Sequence, residues 1–342
     1  MPLRKRSSLW DMKHSNISIF IPHIGCPHRC SFCDQNTISG AVHLPDGDEV
    51  REICRKALSE VKSPENTEIA FFGGSFTAIP RDYMLELLEA AGEFIGDGKF
   101  KGIRCSTRPD CIDIEVLELL KSHGVTAIEL GAQSLDDEVL EANERGHSAQ
   151  QVVDACMLIR AFGFELGLQM MIGLYRSTPE KEWETVTKIV ELQPDTVRIY
   201  PVVVLKNTRL GELLKNGEYE PFSFEKAVDI ASAAIVMFEG SGIRVIKCGL
   251  HASEFVEKDM IGGFYHPAFR EICESMIYRR NIAGELSAAG ISAGEVTIAV
   301  KSSCISKALG HRKSNFEYFK ERGIIIKAAG DDEVPIYKCE LR

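Results

Sequence analysis

No apolar run in the 342 residues approaches the ~20 needed to cross a bilayer, so no membrane span and no membrane partner are expected. The basic start, Met1 to Ser8, is followed by no apolar core of a secretory signal, and the cytoplasm is the expected location. Positive charge is not in excess: 40 Lys and Arg face 50 Asp and Glu, for a net charge of −10. A generic nucleic-acid binder would usually show a basic surplus. A local basic face on an acidic protein stays open, and its candidates are Arg4-Lys5-Arg6, Arg279-Arg280 and His311-Arg312-Lys313. Repeats and low-complexity segments are absent. The cysteine count, 11, is odd, which speaks against a disulfide framework. Many free thiols fit a reducing compartment. At 44% hydrophobic and 26% charged, the composition is that of a soluble globular protein. The length is large for one domain, though α/β barrels reach it.

What is present is a regular alternation. Short apolar runs at Ile17–Ile24, Glu68–Phe72, Gly102–Thr107, Ala127–Leu130, Phe164–Leu174 and Thr196–Leu205 read as strands. Between them, 48–62, 80–94, 114–121, 149–162 and 180–192 carry helical spacing. Strands alternating with helices predict a parallel sheet, and six such units predict a partial (β/α)6 barrel of class α/β. The alternation weakens after Leu250. The expected division is a core barrel over 1–250 and a small α+β extension over 251–342, with short strands near Val296–Val300 and Ile324–Lys327.

In such barrels the chemistry gathers where strands end. The most unusual string, Gly25-Cys-Pro-His-Arg-Cys-Ser-Phe-Cys33, follows the first strand with spacing C-x3-C-x2-C. Three thiolates this close can hold three corners of a cubane iron–sulfur cluster and leave the fourth iron open. A zinc site is the alternative, with His23 or His28 as fourth ligand. The spacing, with Phe32 before the last Cys, resembles the signature of the radical S-adenosylmethionine (SAM) superfamily. That resemblance implies a 4Fe–4S cluster on Cys26, Cys30 and Cys33 whose open iron binds the amino and carboxylate groups of SAM. It also implies an electron donor such as a flavodoxin or ferredoxin. The implied reaction is reductive cleavage of SAM to a 5′-deoxyadenosyl radical that takes hydrogen from an unreactive C–H bond.

Other strand ends supply candidate cofactor contacts. Gly73 and Gly74 can set bare backbone against a ligand, with Ser75 beside them. The superfamily often has Glu where this chain has Ser75. Arg108 offers a guanidinium either to the SAM carboxylate or to a nearby acid such as Asp110. Ser106 and Thr107 could meet the ribose, and Gln133 offers both a donor and an acceptor. Ile172 and Gly173 could form a flat apolar edge for adenine, or plain core. Tyr200, near the mouth, could donate a proton or hydrogen atom, or simply pack. Cys248, in Cys248-Gly-Leu-His251, is a weak candidate for an active-site thiol. His147 reads as a loop residue. The remaining cysteines read as small buried apolar residues.

Several strings occur together in order: Phe72-Gly-Gly-Ser-Phe-Thr77, Ser106-Thr-Arg-Pro-Asp110, Glu129-Leu-Gly-Ala-Gln-Ser134, Glu144-Arg-Gly-His147, Val197-Arg-Ile-Tyr-Pro-Val202, Thr208-Arg-Leu-Gly-Glu-Leu213 and Gly217-Glu-Tyr219. Over roughly residues 15–250 this set resembles the radical SAM module of the elongator catalytic subunit and its bacterial relatives. The resemblance implies a tRNA base as substrate. A small metabolite or porphyrin-like substrate is the second reading, and a non-catalytic iron–sulfur or zinc RNA-binding protein the third. The elongator enzyme has a longer first Cys spacing and carries an acetyltransferase domain. Only about 90 residues follow the module here, so acetyl-CoA-dependent modification by this chain alone is not expected.

Overall fold

The computed structural model describes residues 15–21, 24, 26, 27, 29–34, 43–250 and 254–342. Arg4 to Arg6, His23, His28 and His251 lie outside the described residues.

Seven strands form one parallel sheet in the order β1-β2-β3-β4-β5-β6-β8. They are β1 (Ser15–Ile21), β2 (Thr67–Gly73), β3 (Gly102–Thr107), β4 (Val125–Gln133), β5 (Glu165–Ile172), β6 (Thr196–Pro201) and β8 (Arg244–Cys248). Among the described residues the sheet does not close, since β1 and β8 are its edges. This is the expected partial barrel, with a seventh strand beyond the six.

Alternation along each strand explains the layers. Ile69, Phe71, Ile103, Cys105, Ile128, Leu130, Leu166 and Leu168 are buried on one face, against the apolar sides of the helices. The opposite face carries Glu68, Arg104, Glu129 and Arg198, joined by ion pairs. Helix starts follow local chemistry. Asp46 caps Gly47–Glu60 in a reciprocal pair with Glu49, Ser148 caps Ala149–Ala161 with Gln151, and Thr178 precedes Pro179 at the start of Pro179–Leu192.

The expected strand Thr196–Leu205 is in fact two. Pro201 has no N–H to extend the ladder, and β6 stops there. The chain turns out as β7 (Val203–Leu205), which pairs antiparallel with β9 (Met260–Gly263) above the C-terminal edge of the sheet. Two long helices, Phe224–Gly240 and Phe269–Ala288, went unread in the sequence. Cys273, Ile277, Tyr278 and Ile282 of the second are buried in the same apolar core as the barrel strands. Beyond it, β10 (Gly294–Val300) pairs parallel with β11 (Ile324–Gly330) and antiparallel with β12 (Glu340–Leu341). The two expected strands of the extension are therefore present and slightly longer. Among the described residues no helix is long and apolar enough to cross a membrane.

Candidate active site

The cysteine loop is fastened at several points. The Gly74 N–H donates to the Ile21 carbonyl at 2.8 Å. Gly73 has φ +115°, and a Cβ there would stand 2.6 Å from the Ile21 oxygen; one on Gly74 would stand 2.5 Å from the Ile24 oxygen. The glycine pair is thus required by the close approach of β2 to the start of the loop. The Ser31 hydroxyl donates to Asn143 Oδ1 at 2.8 Å, its N–H donates to the Asn143 carbonyl at 3.1 Å, and its own carbonyl accepts from Leu210 N at 2.7 Å.

The three sulfurs converge and meet positive charge. Arg145 Nη1 donates to Cys30 Sγ at 2.8 Å, and Arg108 Nη1 lies 4.0 Å from the same sulfur. Burial, reinforced by the nearby Cys30 and Cys26 sulfurs, pushes the Cys33 thiol up to about 12. Burial also raises Cys26, against a hydrogen bond from the Ser75 main chain and the two arginines. Three mutually repelling thiols in a buried place ionise together only with cationic partners. Iron corners would complete what the arginines begin. Among the described residues no three His, Cys, Asp or Glu side chains are grouped around one metal position, and His23 and His28, the fourth ligands of the zinc alternative, lie outside those residues.

Beside Cys33 lies a cavity of about 120 Å³. Phe32, Cys33, Gln133, Met171 and Tyr200 line it, and Val203, Leu205, Leu250 and Val256 cover it. Gln133 is held at φ +66°, an uncommon backbone for a non-glycine residue. Its Oε1 is buried with no hydrogen-bond partner among the described residues, and neither has the buried Nε of Arg145. The two side chains flank Gly131, whose missing Cβ would stand 3.1 Å from Gln133 Nε2 and 3.4 Å from Arg145 Nη2. An unfilled acceptor and an unfilled donor in one buried place fit a ligand that carries both complements. A wider open cleft of about 660 Å³, lined by Arg29, Glu141, Glu144 and His147, has no cysteine in its wall.

Of the expected contacts, Cys33, Gln133 and Tyr200 line this cavity, and the Cys26 and Cys30 sulfurs lie near that of Cys33 outside its wall. Others are engaged elsewhere. Arg108 is forked onto Asp110, at 2.9 and 3.0 Å, which is the second of its two expected roles. Ser75 is buried, hydrogen-bonded to the Thr107 hydroxyl at 2.8 Å and to the Arg108 N–H. Ser106 accepts from Gln169 at 3.3 Å. Ile172 is 1% exposed and belongs to the apolar core; strand alternation turns Met171 to the cavity instead. Gly173 spends its N–H on Glu182 and its carbonyl on the Tyr219 hydroxyl. Cys248 is buried beside Cys273, outside the cavity wall. Burial and the charges of Arg145 and Arg108 lower the His147 imidazole to about 4, so this loop residue is a buried, neutral ring. Arg145, Asn143 and Met171 were not singled out in the sequence. Arg145 stands in the quoted string Glu144-Arg-Gly-His147, and that was its only signal.

The sequence profile of the Radical SAM superfamily matches residues 20–189, and that of the Radical_SAM C-terminal domain matches 194–279. This chain belongs to the radical SAM superfamily. Its cofactors are therefore those of the superfamily, a 4Fe–4S cluster and SAM. The "tRNA uridine(34) acetyltransferase" of Methanocaldococcus jannaschii is 30% identical over 251 residues, 61% of this chain and 46% of that protein. The chain spans about half the length of the curated relatives it matches. Among solved structures, Methanocaldococcus infernus Elp3 with an N-terminal deletion aligns with a TM-score of 0.55 at 20% identity, over 71% of this chain and 61% of that one. Methylornithine synthase (PylB) aligns at 0.50 and 14%, over 92% and 88%. At these identities the likeness is one of fold.

Proposed function

We propose that Cys26, Cys30 and Cys33 hold the cluster, that SAM lies in the adjoining cavity, and that the substrate is a tRNA base. One observation carries the site: Cys33 and the unfilled Gln133 oxygen share a cavity wall, while Arg145, across Gly131 from Gln133, donates to Cys30. When bound, the two cofactors supply hydrogen abstraction from an unreactive C–H bond. The chain's own residues bind and orient. Gln133 Oε1 would accept from the ammonium of the amino-acid end of SAM, and Arg145, whose Nε is buried without a partner among the described residues, would donate to its carboxylate. Arg145 and Arg108 offset the charge of the Cys30 sulfur. Phe32, Met171, Val203 and Leu205 keep water from the reacting centre. Tyr200 stands in the same wall, and burial raises its phenol, so it remains protonated at the reaction centre.

The tRNA reading is supported by the relatives' names. A small substrate is the second reading, supported by the covered, mostly apolar cavity. Anaerobic reconstitution tests both the site and the substrate. The wild-type protein with a one-electron donor should show 4Fe–4S absorbance and release 5′-deoxyadenosine. Cys30→Ala should lose both, and Cys54→Ala, whose thiol is buried in the distant core, should keep them. Full cluster loading in Cys30→Ala would overturn the ligand assignment. Nucleoside mass analysis after incubation with bulk tRNA separates the substrates, and an unchanged nucleoside profile with SAM cleaved would favour the small molecule.

A further inference from the structure

The sequence shows two short basic strings, at 279–280 and 311–313, that are unremarkable apart. The fold joins them. Arg279 is on the Phe269–Ala288 helix, and its Nε donates to Asn315 Oδ1 at 2.9 Å. Asn315 is buried and donates to the carbonyls of Ser275 at 2.8 Å and Ala308 at 3.0 Å. The His311 N–H donates to the Ser275 hydroxyl at 3.0 Å. These bonds clamp the 311–315 turn onto the long helix.

In that turn Arg312 and Lys313 are exposed and stand consecutively in the left-handed region, at φ 51° and 62°. Side chains other than Gly, Asn and Asp rarely take that backbone, and two in succession are rarer. Next to them, Tyr318 is met by two guanidiniums, Arg279 at 4.6 Å and Arg322 at 3.6 Å from the ring centre. Burial lowers the Arg279 pKa; Tyr318 opposes the shift and the neighbouring Arg322 adds to it. Of the nearby acids, Asp229 pairs with Arg280, Glu271 with His311 and Glu317 with Lys320, and the exposed Glu321 beside Arg322 in the chain makes no ion pair among the described residues. Arg279, Arg312, Lys313 and Arg322 have no carboxylate partner among the described residues. Two guanidiniums on an aromatic ring and two exposed cations in the adjoining turn, on a protein of net charge −10, form an electrostatic feature that a polyanion would relieve.

We infer that this face binds the phosphate backbone of RNA. The inference rests on the tRNA reading above and names the surface that serves it. Arginine planes beside an aromatic ring suit single-stranded loops, where bases stack and phosphates stay accessible. The face also continues to the barrel mouth. The His311 ring lies 5.6 Å from that of His266, just past β9, and β9 pairs with β7, which covers the cavity. RNA held here lies along the edge that leads to the reacting centre.

The test is fluorescence anisotropy of a labelled RNA stem-loop with cluster-loaded protein over a range of salt. Arg312→Asn with Lys313→Asn removes two charges yet keeps a residue that tolerates left-handed backbone. The wild type should bind with a logarithmic affinity that falls linearly with the logarithm of salt. The double variant should bind more weakly, with a slope smaller by about 2, one per lost phosphate contact. Arg280→Asn, whose charge is already paired with Asp229, should leave the slope near that of the wild type. Wild-type affinity and slope in the double variant would overturn the face and leave the tRNA reading standing, as would an equal loss in Arg280→Asn. A wild type that binds no RNA at low salt would overturn both.

Discussion

Glu182 sits under the end of β5, where the Gly173 N–H and the Ser177 hydroxyl both donate to its Oε1, at 2.8 and 2.7 Å. Burial outweighs these bonds and pushes the carboxyl up to about 7. Its folded pKa therefore lies above the unfolded value of about 4.3. The stability it contributes is fully present below that unfolded value and fades as pH rises through 7. Relative to Glu182→Gln, which keeps an oxygen for both donors, the wild type should lose up to about 3 kcal/mol between pH 4.5 and 8. Denaturant titrations of both proteins across that range check this, and parallel curves would show that the carboxyl does not titrate there. Gly73 gives a second test. Its φ and the 2.6 Å approach of a Cβ to the Ile21 oxygen mean that Gly73→Ala should cost at least about 2 kcal/mol and lower iron content, because it displaces the cysteine loop. At this scale the sequence was legible where chemistry is unusual, as with three cysteines or a Gly-Gly at a strand end. It was not legible where a common residue is made special by its neighbours. Arg145 is an ordinary loop arginine until folding brings it 2.8 Å from Cys30, and Met171 differs from Ile172 only by the face of β5 it occupies.

Strands of the main sheet carry an ionic ladder on the face turned from the helices. Arg104 is wholly buried and reaches Glu68 at 2.7 Å, Glu165 at 2.6 Å and Glu129 at 3.4 Å. Arg198 completes the ladder on Glu129 at 2.6 and 2.9 Å and lies 4.9 Å from the Phe72 ring. The Arg104 and Arg198 charges hold the Glu129 carboxyl below its usual range although burial pulls it up. Removing one member strands the rest in a buried place. Arg104→Met should therefore destabilise by about 3–5 kcal/mol, with part of the loss recovered when Glu68→Gln is added. Chemical denaturation of the single and double variants decides it; a single variant as stable as the wild type would show that the remaining partners, Lys101 and Arg198, suffice. The strands themselves were legible because apolar residues alternate with these charges. Which face those charges fill was not, since alternation fixes two faces without saying which one the helices cover. The helix Phe224–Gly240 was missed for a related reason: it is apolar on most sides, with Ala227, Val228, Ile230, Ala231, Ala234 and Ile235 all buried, so it shows no clear one-sided stripe.

For the molecule as a whole, the question is how a cofactor and a substrate enter. The cavity beside Cys33 holds about 120 Å³, well under the roughly 300–1,000 Å³ of sites that enclose ligands of this size. Its cover is the β7–β9 pair with Val256, which is 1% exposed. Among the described residues that pair is a two-stranded sheet with no third strand, and such ribbons are only marginally stable alone. It rests on the barrel through the Val202 carbonyl, which accepts from Phe264 N at 3.1 Å, and through Gly263, where any Cβ would strike that carbonyl. If SAM takes the proposed cavity, a two-stranded cover over so small a space predicts loading by local opening of β7 and β9 while the seven-stranded sheet stays folded. Hydrogen exchange measures this directly. In cluster-loaded protein without SAM, amides of Val203–Leu205 and Met260–Gly263 should exchange well before those of β2 to β5. Adding SAM should slow the first group and leave the second unchanged, because only the cover changes state when the cavity fills. Equal protection of both groups before and after SAM would mean that the cover is as rigid as the sheet. Entry would then have to come from the side of the cysteine loop, beneath Arg145 and Phe32.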